Sequence, residues 1–212
     1  MKLENFVKKV KDLAVIDTEL LLAGVSNHKA IKVQISRWLK AGKLIQLKRG
    51  LYLLSEPYRK VDVFEPYIAS ILKKPSYLSL EKALEYHGLI PEAVPVYTSV
   101  TSKMPAKFSS EIGVFDYRHI KSSLFWGYAS VTVYKQTAFI ATAEKALLDL
   151  IYLKGMKISL DYLKEMRLQN VKAISLEKLW EFATRFNKPG IMRAAKIIKK
   201  YIDSYKEEEK TL

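Results

Sequence analysis

The chain has no cysteine. That excludes a disulfide framework, a thiolate zinc site and a cysteine nucleophile. Histidine is almost as scarce, and His28, His87 and His119 are too scattered for a His-rich metal cluster. No apolar run approaches the roughly 18 residues that a membrane span needs. The stretch from Met1 to Asp12 is charged and amphipathic, without the apolar centre of a signal peptide. These absences predict a cytoplasmic protein with no metal and no membrane partner. Acidic residues are also few: 22 Asp plus Glu stand against 36 Lys plus Arg, a net charge of +14 over 212 residues. Hydrophobic residues make up 49% and aromatics 11%, so a sizeable core can be buried and wholesale disorder is excluded. The positive surplus favours polyanions: nucleic acid, an anionic membrane face or an acidic protein.

The surplus is uneven. Residues 1–60 hold 13 Lys/Arg and 5 Asp/Glu, a net of +8. In this segment Leu3, Phe6, Val10 and Leu13 recur at helical spacing and predict a helix over 2–13. Asp17 is placed to cap a short helix from Thr18, with Glu19 at its positive end. Gly24 would end that helix, and Ser26 or Asn27 would cap the next. This third helix, about His28 to Ala41, carries an apolar stripe of Ile31, Ile35, Trp38 and Leu39. At 100° per residue the opposite face holds Lys29, Lys32, Val33, Ser36, Arg37 and Lys40, with no acid among them. A major-groove reader needs such a face: cations for phosphates and guanines, a hydroxyl, and an apolar group for a thymine methyl. A Lys-rich solvated surface is the alternative. Lys43–Leu47 and Leu51–Leu54 then read as two strands joined at Lys48-Arg49-Gly50, where Gly50 permits a tight turn. Helix, short helix, basic helix and basic hairpin is the order of a winged helix-turn-helix.

The run Trp38-Leu39-Lys40-Ala41-Gly42-Lys43-Leu44-Ile45-Gln46-Leu47-Lys48-Arg49-Gly50-Leu51-Tyr52 resembles the end of the winged helix in AbiEi-type antitoxins of abortive-infection toxin–antitoxin systems. Tyr77-Leu78-Ser79-Leu80-Glu81-Lys82-Ala83-Leu84-Glu85-Tyr86-His87-Gly88-Leu89-Ile90-Pro91 resembles the start of that family's effector domain. Thr98-Ser99-Val100-Thr101, Phe115-Asp116-Tyr117-Arg118-His119-Ile120, Phe125-Trp126-Gly127-Tyr128 and Ala141-Thr142-Ala143-Glu144-Lys145-Ala146-Leu147-Leu148-Asp149-Leu150 follow in the family's order. The resemblance covers about residues 5–155. It implies an antitoxin that autoregulates its operon through double-stranded operator DNA, often inverted repeats. Its functional partner would be a cognate nucleotidyltransferase-like toxin, with no need for direct contact.

The rest of the chain changes period. A linking helix is predicted over 62–72 and another from Ser79, closed at Gly88 with His87 in a C-terminal capping role. Strand-like runs follow at 94–100, 112–120, 124–128, 131–134 and 138–140. They predict a small, mainly antiparallel sheet. Thr142-Ala143-Glu144-Lys145 and Ser175-Leu176-Glu177-Lys178 repeat the hydroxyl cap and first-turn acid of Ser79-Leu80-Glu81-Lys82. Amphipathic helices are predicted over 143–153, 160–168, 176–186 and from Pro189, with Asn187 as a cap for the last. Arg193, Lys196, Lys199 and Lys200 lie away from that last helix's inward face, as a second basic patch or a solvated surface.

The fold class is therefore α+β. A winged helix-turn-helix over 1–56 precedes a mixed domain over 57–205, whose small antiparallel sheet is covered by helices, and 206–212 is a frayed tail. Neither a phosphate-cradling G-x-x-x-x-G-K-[ST] nor a G-x-G-x-x-G is present, so no cofactor is predicted. His119, Glu144 and Asp149 would have to meet for catalysis. Glu144 also fits a helix start and Asp149 an exposed helix position, so the expectation is a binding protein, not an enzyme. Lys29, Lys32, Val33 and Ser36 would face base edges, while Arg37, Lys40, Lys48 and Arg49 hold phosphates or the adjacent groove. The runner-up is a winged-helix regulator whose second domain senses a ligand or mediates oligomerisation.

Overall fold

The computed structural model describes residues 2–22, 28–155 and 157–210, the last five as backbone only. The expected roles of Gly24, Ser26 and Asn27 lie outside the described residues. Helix α1 spans Leu3–Val10 and buries Phe6 and Val10. A short strand β1, Ile16–Asp17, leads into α2, Thr18–Leu22. The Asp17 carboxylate accepts the Glu19 amide at 2.8 Å, so this residue does cap α2. Helix α3, His28–Lys40, buries Ile35 and Trp38, and the Trp38 ring packs on Phe6 at 4.7 Å. Its end is a Schellman closure: Lys43 N–H donates to Trp38 O and Gly42 N–H to Leu39 O, with Gly42 at φ +65°. Strands β2, Leu44–Lys48, and β3, Leu51–Leu54, follow. Among the described residues these strands form an antiparallel sheet in the order β1-β3-β2.

This sheet has an unlike partner on each face. Leu44 and Leu54 pack with α1 and α3 around Phe6 and Trp38. Leu47 and Leu53 point the other way, into the core of the rest of the chain. The boundary expected near residue 56 thus runs along a packed interface.

Helix α4, Glu65–Leu72, begins with Pro66 in its first turn and runs against the second sheet. Strand β4 is only Tyr77–Leu78, followed by α5, Leu80–Tyr86, which closes at His87 and a positive-φ Gly88. Strands β5 (Val96–Thr101), β6 (Ala106–Ser110), β7 (Gly113–His119), β8 (Tyr128–Val133) and β9 (Gln136–Ala141) complete the sheet. Among the described residues, six strands run in the order β6-β7-β5-β4-β9-β8. The sheet is mixed, where a mainly antiparallel one was expected. The β5–β7 and β4–β9 pairs are parallel, and β4–β5, β6–β7 and β8–β9 antiparallel. The two-residue β4 is too short to show a period, yet it sits at the centre and sets both central directions. Strand β6 falls between the expected strand-like runs, although Ala106, Phe108 and Ser110 alternate with exposed Lys107 and Ser109. Of the strand expected over 124–128 only Tyr128 is strand, as the start of β8; before it come a 3-10 turn, Ser122–Leu124, and a bend at Gly127, φ +78°.

Helices α6 (Ala143–Lys154), α7 (Leu160–Glu165), α8 (Leu176–Phe186) and α9 (Pro189–Lys210) complete the chain. Thr142 and Ser175 cap α6 and α8 as expected, by accepting Lys145 N–H and Lys178 N–H. Ser79 makes no such cap. Asn187 does not cap α9 either. It sits at φ +49° and closes α8, a left-handed position that Asn tolerates. Ile191, Ala194, Ile198 and Ile202 face inward, and the α9 backbone stays helical to Lys210, past the fraying expected at 206. The class is α+β, and no helix among the described residues is long and apolar enough to cross a membrane.

Candidate nucleic-acid interface

The outer face of α3 is built by period alone. With Ile35 and Trp38 turned into the core, Lys29, Lys32, Val33, Ser36, Arg37 and Lys40 are all exposed. Val33 keeps 49% of its surface open. Among the described residues, no hydrogen bond or ion pair engages the charged ends of Lys29, Lys32, Arg37 or Lys40. The face is therefore a row of uncommitted cations with one hydroxyl and one apolar group.

The β2–β3 tip is held beside this face. Thr18 N–H and Thr18 Oγ1 both donate to Gly50 O, at 2.9 and 3.1 Å, which pins the tip to the start of α2. Gly50 sits at φ +91°. Lys32 and Ser36 of α3 and Arg49 of the tip line one cleft of about 640 Å³. Arg49 is exposed and likewise free of any ion pair among the described residues. Glu19 faces the same cleft, an acid that the face-by-face sequence reading left out.

Lys48 belongs elsewhere. A bulge between Gln46 and Lys48 puts Leu47 and Lys48 both opposite Leu51, and so turns both side chains to the same side. That side is the large core, not α3. The Lys48 ammonium donates to Leu72 O at 2.6 Å and lies 5.8 Å from the Phe108 ring centre. Burial pushes its pKa down, with Asp17 opposing and Lys73 and Lys74 adding to the fall. Lys48 was expected beside Arg49 in the turn, but the strand runs on through Lys48, and no sequence signal marks the bulge.

The second basic patch is smaller than its sequence. Arg193, Lys196 and Lys200 are exposed, but Lys199 is paired with Asp203 at 2.5 Å.

The catalytic constellation does not assemble. His119 Nδ1 donates to Lys103 O at 3.0 Å on the surface. Glu144 is buried and accepts Ser175 N–H at 2.8 Å, tying α6 to the start of α8. Asp149, expected on an exposed position, is fully buried. It accepts from Tyr77 OH and Ser79 Oγ, each at 2.9 Å, and pairs with Lys145, whose ammonium also reaches Tyr77 OH at 2.9 Å. Trp126 and Phe186 put their rings over that ammonium, each with its centre 4.8 Å away. Burial pushes the Asp149 carboxyl pKa up and the Lys145 ammonium pKa down, and each partner's charge resists the shift of the other. The Tyr77 hydroxyl is pushed up by burial and then by Asp149. Gly127 completes the seal, since a Cβ there would stand 3.0 Å from the Lys145 side chain. The reason for the miss is legible: α6 is buried continuously from Ala143 to Ile151, so its polar residues have no outer face to occupy. The apolar residues on every side of Lys145 and Asp149 were the signal.

His87 closes α5 as predicted, and its Nε2–H also donates to Ala141 O at 2.7 Å. Among the described residues no group of three His, Cys, Asp or Glu is arranged to hold a metal ion. No protein-family model matches the chain, and no curated protein matches it.

Proposed function

We propose that this protein is a DNA-binding antitoxin of the AbiEi type, which represses its own operon and counters a nucleotidyltransferase-like toxin. The observation that carries the DNA-binding half is the α3 face: four uncommitted cations with Ser36 and Val33, beside the free Arg49 at a pinned hairpin tip. The element order α1-β1-α2-α3-β2-β3, with strands arranged β1-β3-β2, supports reading this region as a winged helix-turn-helix. In that reading α3 enters the major groove and the tip meets the flanking backbone or minor groove. Lys29, Lys32, Val33 and Ser36 face base edges, while Arg37, Lys40 and Arg49 hold phosphates. The antitoxin half rests on the ordered sequence resemblance and places the protein in the cytoplasm with its operon. The second domain is read as a binding module, not an enzyme.

The DNA half is tested by fluorescence anisotropy on the protein's own upstream promoter. Replacing Lys29, Lys32, Arg37, Lys40 and Arg49 together by Ala should abolish sequence-preferring binding and flatten the salt dependence. The thermal midpoint should stay within a few degrees, because all five side chains are exposed. Retained affinity in this variant refutes the DNA reading. The antitoxin half is tested by co-expression with a neighbouring nucleotidyltransferase gene, scored as rescue of growth.

A further inference from the structure

A cavity of about 450 Å³ lies on the side of the second domain where α4 meets the β8–β9 hairpin. It falls inside the roughly 300–1,000 Å³ of small-molecule sites. Four aromatic residues line it: Tyr67 on α4, Phe125 in the bend, Tyr128 on β8 and Phe139 on β9. Phe139 is 42% and Tyr128 37% exposed, a large open apolar surface for residues in a sheet. Tyr128 is fixed from behind, stacked on buried Tyr77 at 4.7 Å, and meets Phe139 edge-on at 5.8 Å. The wall is thus preorganised, not a loose cluster.

The polar groups sort into two sets. Ser70 and Ser76 are spent inside the chain, on Pro66 O and Lys73 O, and Ser70 Oγ also accepts Phe139 N–H at 3.2 Å. Thr137 pairs with Thr132. The Lys74 ammonium and the Tyr67 and Tyr128 hydroxyls have no hydrogen bond or ion pair among the described residues. No lining residue is acidic. Lys74 is exposed at the rim, and Tyr67, Ile71 and Lys74 are shared with a second hollow that runs to Lys48, Arg49 and Asp17 at the hairpin tip. Aromatic walls, a single cation at the mouth and two open phenols describe one kind of guest.

We propose that this cavity binds a small planar aromatic anion, with its ring among Tyr67, Phe125, Tyr128 and Phe139 and its charge against Lys74. Ring faces and edges supply the apolar contact, and the ammonium selects against uncharged rings. A nucleoside monophosphate and an aromatic carboxylate share this chemistry. The site does not depend on the α3 face and is tested without DNA.

The test is calorimetric titration of the full chain with AMP and UMP, their nucleosides, indole-3-acetate and 4-hydroxybenzoate. Saturable one-to-one binding of at least one anion is expected. Phe139→Ala should weaken it roughly tenfold, and Thr137→Trp, which fills the mouth from an exposed position, should abolish it. Lys74→Ala should weaken the anion and leave any binding of its uncharged counterpart unchanged. Nucleotides alone or carboxylates alone binding in this pattern identifies the source. No saturable binding by any anion up to roughly 10 mM, nucleosides binding as well as nucleotides, or binding indifferent to Phe139→Ala and Thr137→Trp overturns the proposal. Circular dichroism of each variant verifies that the fold persists.

Discussion

Two helices of this protein carry lysine in opposite circumstances. On α3, Lys29, Lys32 and Lys40 stand in solvent with no protein partner among the described residues. On α6, Lys145 is wholly buried, bonded to Asp149 and Tyr77 and roofed by Trp126 and Phe186. The first arrangement costs the fold little and leaves charge available to a polyanion. The second is costly to build, because both ions leave water, and it leaves nothing available. Charge count alone treats these lysines as equals. Partnership separates a charge left available in solvent from an internal fastening.

The sharpest way to test this contrast is to break the fastening. Lys145→Ala leaves Asp149 buried beside Tyr77 and Ser79 without its cation, and should cost about 3–5 kcal/mol. Urea titration measures it, and a chain too unstable to purify is the extreme of the same outcome. Replacing the pair together, as Lys145→Met with Asp149→Leu, should recover much of the loss, since an apolar pair removes the stranded charge. If the single variant is as stable as the wild type, the pair is not the fastening described.

The next test sets two neighbours against each other. Lys48→Ala removes the donor to Leu72 O at the joint between the sheets and should cost about 1 kcal/mol of stability with little change in DNA binding. Arg49→Ala should leave stability within about 0.5 kcal/mol and lower the slope of log affinity against log salt by roughly one. Equal effects of the two on DNA binding would contradict the bulge-directed split between them.

The smallest effect is alkaline and belongs to the second domain. Burial first, then Glu65 and Glu85, pushes the Tyr97 phenol up to about 12. Its folded pKa lies above its unfolded one, so its contribution is fully present below pH about 10. It is lost as pH rises through about 12, because the unfolded chain sheds that proton more readily. Tyr97→Phe should make the fall in melting temperature between pH 10 and pH 12 shallower. An unchanged slope would show that Tyr97 is not one of the groups involved.

Sequence reading succeeded where structure is local. The face of α3 follows from apolar spacing, and the Asp17, Thr142 and Ser175 caps follow from residue type one position before a helix. The ends at Gly42 and His87-Gly88 follow from the left-handed turn that closes a helix. It failed where the cause lay far along the chain. The partners of β4, antiparallel β5 and parallel β9, lie about 20 and 60 residues later in the chain. Leu124 to Tyr128 has strand composition, yet Gly127 bends so that the backbone can pass close to Lys145. The exposure of the α3 face and of Arg49 was therefore readable, and the direction of Lys48 was not.

What the sequence by itself determined is which residues share a helical face and where the charge accumulates, because both depend on neighbours within a few positions. What only the tertiary structure decided is which of those charges stay free. Asp149 became internal because strands and helices cover α6 on every side, and Lys48 was committed to Leu72 O because one extra residue in β2 turned it toward the second domain. A side chain's ionic availability is a property of everything packed around it, and that is fixed only when the distant segments meet.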